Sequence, residues 1–145
     1  MKAVLQRVSE ASVVIDNQVF SSINNGILVL FCIEKNDTQE SVDWLVQKLL
    51  SLRIFEDENG KMNKSITDIK GELLVVSQFT LAADCKKGTR PSFDNAEIPV
   101  KAEEMYENFV DILSKTGIIV KTGVFGADMK VSLCNDGPVT FVLQK

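Results

Sequence analysis

Histidine is absent from this chain. That gap excludes a Ser-His-Asp triad, a Cys-His pair, a histidine metal site and an imidazole acid or base. Whatever chemistry the protein performs, it performs without imidazole. No Cys-x-x-Cys occurs either. The cysteines are Cys32, Cys85 and Cys134, odd in number and far apart. Cys32 and Cys134 lie in apolar runs, so buried free thiols in a reducing compartment are expected. Cys85 precedes Lys86 and Lys87 on a polar segment. With no base near it in sequence, it reads as a solvated loop thiol.

Long apolar runs are also missing. The longest, 27–33 and 73–76, fall far short of the roughly 20 residues that a membrane helix needs. The opening Met1-Lys2-Ala3-Val4-Leu5-Gln6-Arg7 turns polar too early for a signal peptide. A cytoplasmic protein with no membrane association is the expectation. Lys and Arg number 16 against 20 Asp and Glu, a net charge of −4. That balance does not suit a protein that wraps nucleic acid. It leaves room for a local basic patch, with Lys86, Lys87 and Arg90 one candidate and Lys61 with Lys64 another.

What is present is a length of 145 residues, 45% of them hydrophobic. That is enough to bury roughly two thirds of the unfolded surface in one domain. No repeat, low-complexity segment or linker divides it, so residues 1–145 read as a single unit. The first third reads as strands, at 1–8, 11–16 and 19–23, carried by β-branched residues such as Val4, Val8, Val13 and Ile15. Residues 26–34 are apolar on both faces and read as a central strand covered on each side. A helix follows, capped by Asp37 with Glu40 three residues on. Val42, Leu45, Val46, Leu49 and Leu50 form its apolar stripe, with Trp44 at the boundary. Residues 53–55 read as a strand, 56–60 as a polar turn, and 72–81 as the next strand. Residues 84–98 look like loop. A second helix over 100–115, with Pro99 at its start and Gly117 at its end, carries the stripe Ala102, Met105, Tyr106, Phe109, Ile112 and Leu113. Strands at 118–122, 130–134 and 139–144 complete the chain. The fold class is therefore α+β: a strand-rich body of packed sheets in β/β/α layers, with two main helices on one side.

Four segments stand out chemically. In Ser77-Gln78-Phe79-Thr80-Leu81, polar side chains close a buried strand. Three roles fit: a hydroxyl nucleophile, which needs a base that the sequence does not place nearby; hydroxyls bonding turn backbone; or backbone N–H groups forming an oxyanion hole. Asn135-Asp136-Gly137-Pro138-Val139-Thr140 reads as a tight turn joining two strands. Gly88-Thr89-Arg90-Pro91-Ser92-Phe93 is a rigid loop presenting a cation, either solvated or set for a phosphate. Around Gly123 to Met129, Phe125 and Met129 fit either the core or the wall of a nucleobase pocket.

These segments, together with Gln6-Arg7-Val8, Arg53-Ile54-Phe55 and Gly60-Lys61-Met62-Asn63, follow one another in a fixed order. By them the chain closely resembles, from end to end, the D-aminoacyl-tRNA deacylases, also called D-tyrosyl-tRNA deacylases. The resemblance implies a homodimer that hydrolyses the ester between a D-amino acid and the terminal adenosine of tRNA, with no metal and no cofactor. It implies a Gly-cis-Pro element, Gly137-Pro138, inserted into the partner subunit's site. The opposite wall would be Ser77, Gln78, Phe79 and Thr80. Thr80 is a candidate nucleophile in that family, although nothing in this sequence would activate it. On the same basis Gln78 positions substrate, Phe125 and Met129 flank the adenine, Arg7 braces the Gly-Pro segment, and Lys86, Lys87 and Arg90 meet the tRNA. Two readings from other classes compete: a non-catalytic nucleic-acid-binding module built on the three cations, and a small-ester hydrolase with Thr80 as nucleophile.

Overall fold

The computed structural model describes residues 1–145. Its chain order is β1 (Lys2–Ile15), β2 (Gln18–Ile23), β3 (Gly26–Cys32), α1 (Gln39–Ser51), β4 (Phe55–Glu56), β5 (Met62–Lys64), β6 (Glu72–Ser77), a 3₁₀ turn (Phe79–Ala82), α2 (Pro99–Ser114), β7 (Ile119–Thr122) and β8 (Lys130–Gln144). Six strands form one sheet in the order β2-β1-β3-β6-β7, with β8 on β1. The strands β3, β6 and β7 run parallel, and the other pairings are antiparallel. The sheet curls until Ser21 Oγ on β2 donates to the Thr122 carbonyl on β7 at 2.7 Å, so it is nearly closed like a barrel. This is the α+β architecture expected.

The curl gives the sheet two apolar faces. Ile27, Val29 and Phe31 of β3, with Leu73 and Val75 of β6, meet α1 and α2 in the larger core. Leu28, Leu74 and Val76, from the same strands, enter a smaller core inside the curl with Val8, Val13 and Ile23. That is why β3 is apolar on both faces. Both helices turn inward the stripes read from their spacing: Val42, Leu45, Val46 and Leu49 on α1 and Ala102, Tyr106, Phe109 and Leu113 on α2 are buried, while Leu50, Met105 and Ile112 pack half-buried at the margins. Phe109 stacks on Phe31 with ring centroids 4.5 Å apart.

Several expectations need correction. The strands read at 1–8 and 11–16 are one, β1, because β8 is long enough to pair with both halves. Between Val8 and Glu10 the pairing moves two residues along β1 but one along β8. That single slip turns the later half of β1 over, so Ala11 and Val13 face the inner core although Ala3 and Leu5 face the helices. Thr38, not Asp37, caps α1. The Asp37 carboxylate is instead occupied by the Met1 amine at 2.7 Å and the Glu34 N–H at 2.7 Å, a stronger charged partner than a helix amide. The strand read at 53–55 is the short β4, whose partner β5 carries no periodicity that sequence could reveal. Strand β6 ends at Ser77: the Gln78 N–H makes the last bond to the Phe31 carbonyl at 2.7 Å, and the chain then winds into the 3₁₀ turn. Cys134, expected to be buried, is exposed on β8; Cys32 is buried and Cys85 exposed.

The segment 135–140 is not a turn either. Strand β8 continues through it in one direction. Between the pairs Gln6–Thr140 and Val8–Asn135 the register moves two residues along β1 and five along β8. The surplus stands out of the sheet as a bulge, with Gly137 and Pro138 exposed at its crest.

Phe109 has no exposed surface and joins α2 to β3. Phe109→Ala is expected to destabilise the fold by about 3–5 kcal/mol, measured by denaturant unfolding.

Candidate active site

Strands β3 and β6 run parallel and end side by side, and α2 begins beside them. A crevice outside the carboxyl ends of parallel strands is where such sheets leave room for a ligand. Here it is a cleft of about 500 Å³. Phe31, Cys32 and Ile33 come from the end of β3; Val76, Ser77, Gln78 and Phe79 come from β6 and the turn after it. The far wall is the segment after β7, including Phe125 and Met129. Five of the expected site residues therefore meet in one cavity: Ser77, Gln78, Phe79, Phe125 and Met129.

The far wall is shaped by Gly123. A Cβ there would lie 2.5 Å from Met129 Sδ, so the sulfur rests on bare backbone. The same sulfur accepts the Val124 N–H at 3.4 Å. Phe125 is steadied by Tyr106, 5.9 Å away between ring centroids. The Tyr106 hydroxyl donates to the Val75 carbonyl at 2.8 Å, and burial raises its pKa.

At the near wall the Thr80 hydroxyl accepts from Gln78 Nε2 at 2.6 Å. No lysine, arginine or histidine lines the cleft. Ser77 is half-buried at the strand end. In the 3₁₀ turn the first bonded amide is Leu81, which donates to the Gln78 carbonyl at 3.2 Å. The N–H groups of Phe79 and Thr80 precede it and so have no acceptor within the turn.

Three cleft residues were given no place in a site from sequence. Cys32 donates weakly to the Phe79 carbonyl at 3.6 Å. Burial, then the nearby Glu34 charge, pushes its thiol up to about 11. Glu97 is pinned by Lys101 Nζ at 2.6 Å and by the Ile98 N–H at 2.9 Å, and its pKa is lowered chiefly by the lysine. Asp128 also lines the wall. Isolated acids and a lone thiol leave no spacing signal. No group of three or more His, Cys, Asp or Glu side chains is arranged to hold a metal ion.

The remaining expected residues lie outside the cleft. Lys86, Lys87 and Arg90 are exposed, and none is in an ion pair. They ride a narrow loop closed by reciprocal Asp84 and Ser92 backbone bonds of 2.8 and 3.0 Å. Its base reaches the cleft mouth, where Phe93 meets Phe79 with centroids 5.0 Å apart. Arg7 is buried at the opposite end of β3, paired with Ile27. Phe31 lies four positions beyond Ile27, on the order of 13 Å along the strand. Arg7 Nε donates to the Asp136 carbonyl at 2.9 Å, and Nη1 to the Ile54 carbonyl at 2.8 Å. The guanidinium thus ties the bulge of β8 to the segment entering β4. The Gly137–Pro138 peptide is cis. Within one chain, the bulge and the cleft are apart.

A family model described as D-Tyr-tRNA(Tyr) deacylase matches residues 4–144. The D-aminoacyl-tRNA deacylase of Geotalea uraniireducens (strain Rf4) is 59% identical over 144 residues, spanning 99% of this chain and 93% of that protein. Among solved structures, the c-Myc DNA Unwinding Element Binding Protein is 46% identical with a TM-score of 0.95, covering 100% of this chain and 99% of the other. A probable eukaryotic D-amino acid tRNA deacylase superposes with a TM-score of 0.83 at 17% identity, over 98% of this chain and 97% of that one, a likeness of fold.

With a thiol at about 11, Cys32 stays protonated at neutral pH. Because burial favours the neutral form, the stability it lends is complete below the ordinary thiol value and is lost as pH rises through 11. Iodoacetamide at pH 8 is expected to label Cys85 and Cys134 and to spare Cys32, read by mass spectrometry of the folded protein.

Proposed function

The chain belongs to the D-Tyr-tRNA(Tyr) deacylase family and is a hydrolase, and on that premise we propose how it cleaves the ester joining a D-amino acid to the terminal adenosine of tRNA, in the cytoplasm and as a homodimer. Water attacks the ester carbonyl at the end of β6. The Phe79 and Thr80 amides, unclaimed within their own turn, take the developing oxyanion; one such donor is worth roughly 3 kcal/mol. The ester C–O bond breaks and the ribose oxygen leaves with a proton, relayed by the neighbouring 2′-hydroxyl. Aminoacyl esters are already reactive, so this modest apparatus suffices. Gln78, held by Thr80, positions the substrate, and Ser77 completes that wall. Phe125 and Met129 flank the adenine. Lys86, Lys87 and Arg90 meet phosphates of the acceptor end, a local basic patch on an acidic protein.

Selection against L-aminoacyl-tRNA comes from Gly137-Pro138 of the second protomer, set into this cleft. Its carbonyls take the substrate's α-amino group, and its backbone fills the space an L side chain needs. A compliant pocket discriminates a methylene by only ~1–3 kcal/mol, whereas a braced main chain cannot yield. Such a wall ignores side-chain identity, so many D-amino acids are accepted. Glycine offers nothing to exclude, so glycyl-tRNA is hydrolysed too. The observation that carries this reading is the bulge itself: exposed, anchored by a buried arginine and out of reach of its own cleft.

Incubation with D-tyrosyl-, L-tyrosyl- and glycyl-tRNA in the presence of chelator tests the reading. Release of amino acid from the D-tyrosyl and glycyl substrates is expected, and equal release from the L form would overturn it. Thr80→Ala separates water from hydroxyl attack. A missing nucleophile costs on the order of 10⁴–10⁶ in kcat, so a loss below about 100-fold supports water and an abolished rate supports Thr80.

A Cβ on Gly137, at φ +131°, would stand 2.7 Å from Val139 Cγ2 and 3.1 Å from Arg7 Nη2. Gly137→Ala and Arg7→Ala are therefore expected to lower the D-over-L ratio of kcat/KM, while Cys85→Ser, on the exposed loop, leaves it unchanged. An unaltered ratio in both motif variants would remove Gly137-Pro138 from the selection step.

A further inference from the structure

Arg7 holds only one side of the bulge, the carbonyl of Asp136. The surplus residues of β8 have no partners on β1 to fix them. The other side is held by two side chains that the chemistry above does not use. Asn135 is the last paired residue before the bulge and Thr140 the first after it. Asn135 Nδ2 donates to Thr140 Oγ1 at 2.9 Å, and Asn135 Oδ1 accepts the Val139 N–H at 3.0 Å. Thr140 Oγ1 also accepts from Gln6 Nε2 of β1 at 3.4 Å. A carboxamide carries a donor and an acceptor on one planar group. It can therefore close the neck of the bulge onto a hydroxyl and onto the returning main chain together.

We propose that Asn135 and Thr140 are positioning residues for stereochemical selection, a clasp that fixes the height and direction of Gly137-Pro138. The proposal rests on the reading that this segment discriminates D from L substrates. With Arg7 alone, the bulge has one anchor and pivots about it. With the clasp it has an anchor on each side, and Val139 beside the second is buried in the main core. Side-chain bonds replace the ladder bonds that the surplus residues cannot make.

The test compares Asn135→Ala and Thr140→Val with two conservative variants. Asn135→Asp still accepts the Val139 N–H and can accept from the Thr140 hydroxyl, which turns to donate. Thr140→Ser keeps the hydroxyl. Asn135→Ala is expected to speed exchange of the Val139 amide, followed by NMR, roughly fivefold to tenfold, the equivalent of one ordinary hydrogen bond. Asn135→Ala and Thr140→Val are expected to lower the D-over-L ratio of kcat/KM, on tyrosyl-tRNA, by about tenfold to a hundredfold. Asn135→Asp and Thr140→Ser should retain most of the ratio. A ratio unchanged in the Ala and Val variants overturns the proposal, as does equal damage in the conservative pair. If Asn135→Ala fails to fold, Thr140→Val, which removes a single exposed hydroxyl, decides the matter. If wild type does not discriminate, or Gly137→Ala discriminates like wild type, the selection reading fails instead, and Val139 exchange judges the clasp alone.

Discussion

One strand constrains nearly everything else here. β1 is paired on both edges, with β8 along one and β3 then β2 along the other. A strand so enclosed cannot slide, because a one-residue slip would turn its apolar side chains to the wrong face. Its two irregularities against β8 are therefore fixed in place. The slip after Val8 carries the later half of β1 into the inner core. The surplus on β8 opposite Arg7 can only leave the sheet. Arg7 sits at that junction, and a buried guanidinium must find acceptors. It finds two main-chain carbonyls, so its burial and the bulge's position are one solution.

The parallel pair β3 and β6 imposes the second constraint. Both strands are covered on both faces, so they read apolar throughout and terminate together. Where they end, the polar Ser77 and Gln78 begin, and the main chain winds into a short turn with its first amides unspent. The cleft lies there, at the other end of β3 from Arg7. The proposed reaction draws on main-chain groups at both places: amides in the cleft and carbonyls on the bulge. Side chains hold them, with Gln78 bonded to Thr80, Arg7 to Asp136 and Asn135 to Thr140. A protein without histidine can work this way because preorganised dipoles stabilise developing charge without being titrated.

The elements whose signal is periodic are legible in the amino-acid order. The stripes of α1 and α2 and the two-faced run of β3 are local patterns, and burial followed them. Features whose outcome is set by a partner elsewhere in the chain are not legible there. Asp37 looks like a cap until the Met1 amine arrives beside it. Cys134 looks like a core thiol, but its strand lies at the outer edge of β1. The segment 135–140 has turn composition, yet β1 continues alongside it. Phe125 and Met129 could not be told from core residues until Gly123 and Tyr106 set them in the wall. Glu97, Asp128 and Cys32 enter the same cleft with no pattern of their own.

By itself the amino-acid order determined the α+β class, the helix faces, the doubly covered strand and the exclusion of imidazole chemistry. These depend on residue type and spacing, which the chain carries wherever it folds. The tertiary structure alone decided that 77–79 share a cavity with 125 and 129, that Gly137-Pro138 stands clear of that cavity, and that Asn135 closes the bulge. Those relations join residues far apart in sequence. They exist only once β1 has fixed its register against three other strands, because hydrogen-bonded pairing converts distant positions into neighbours.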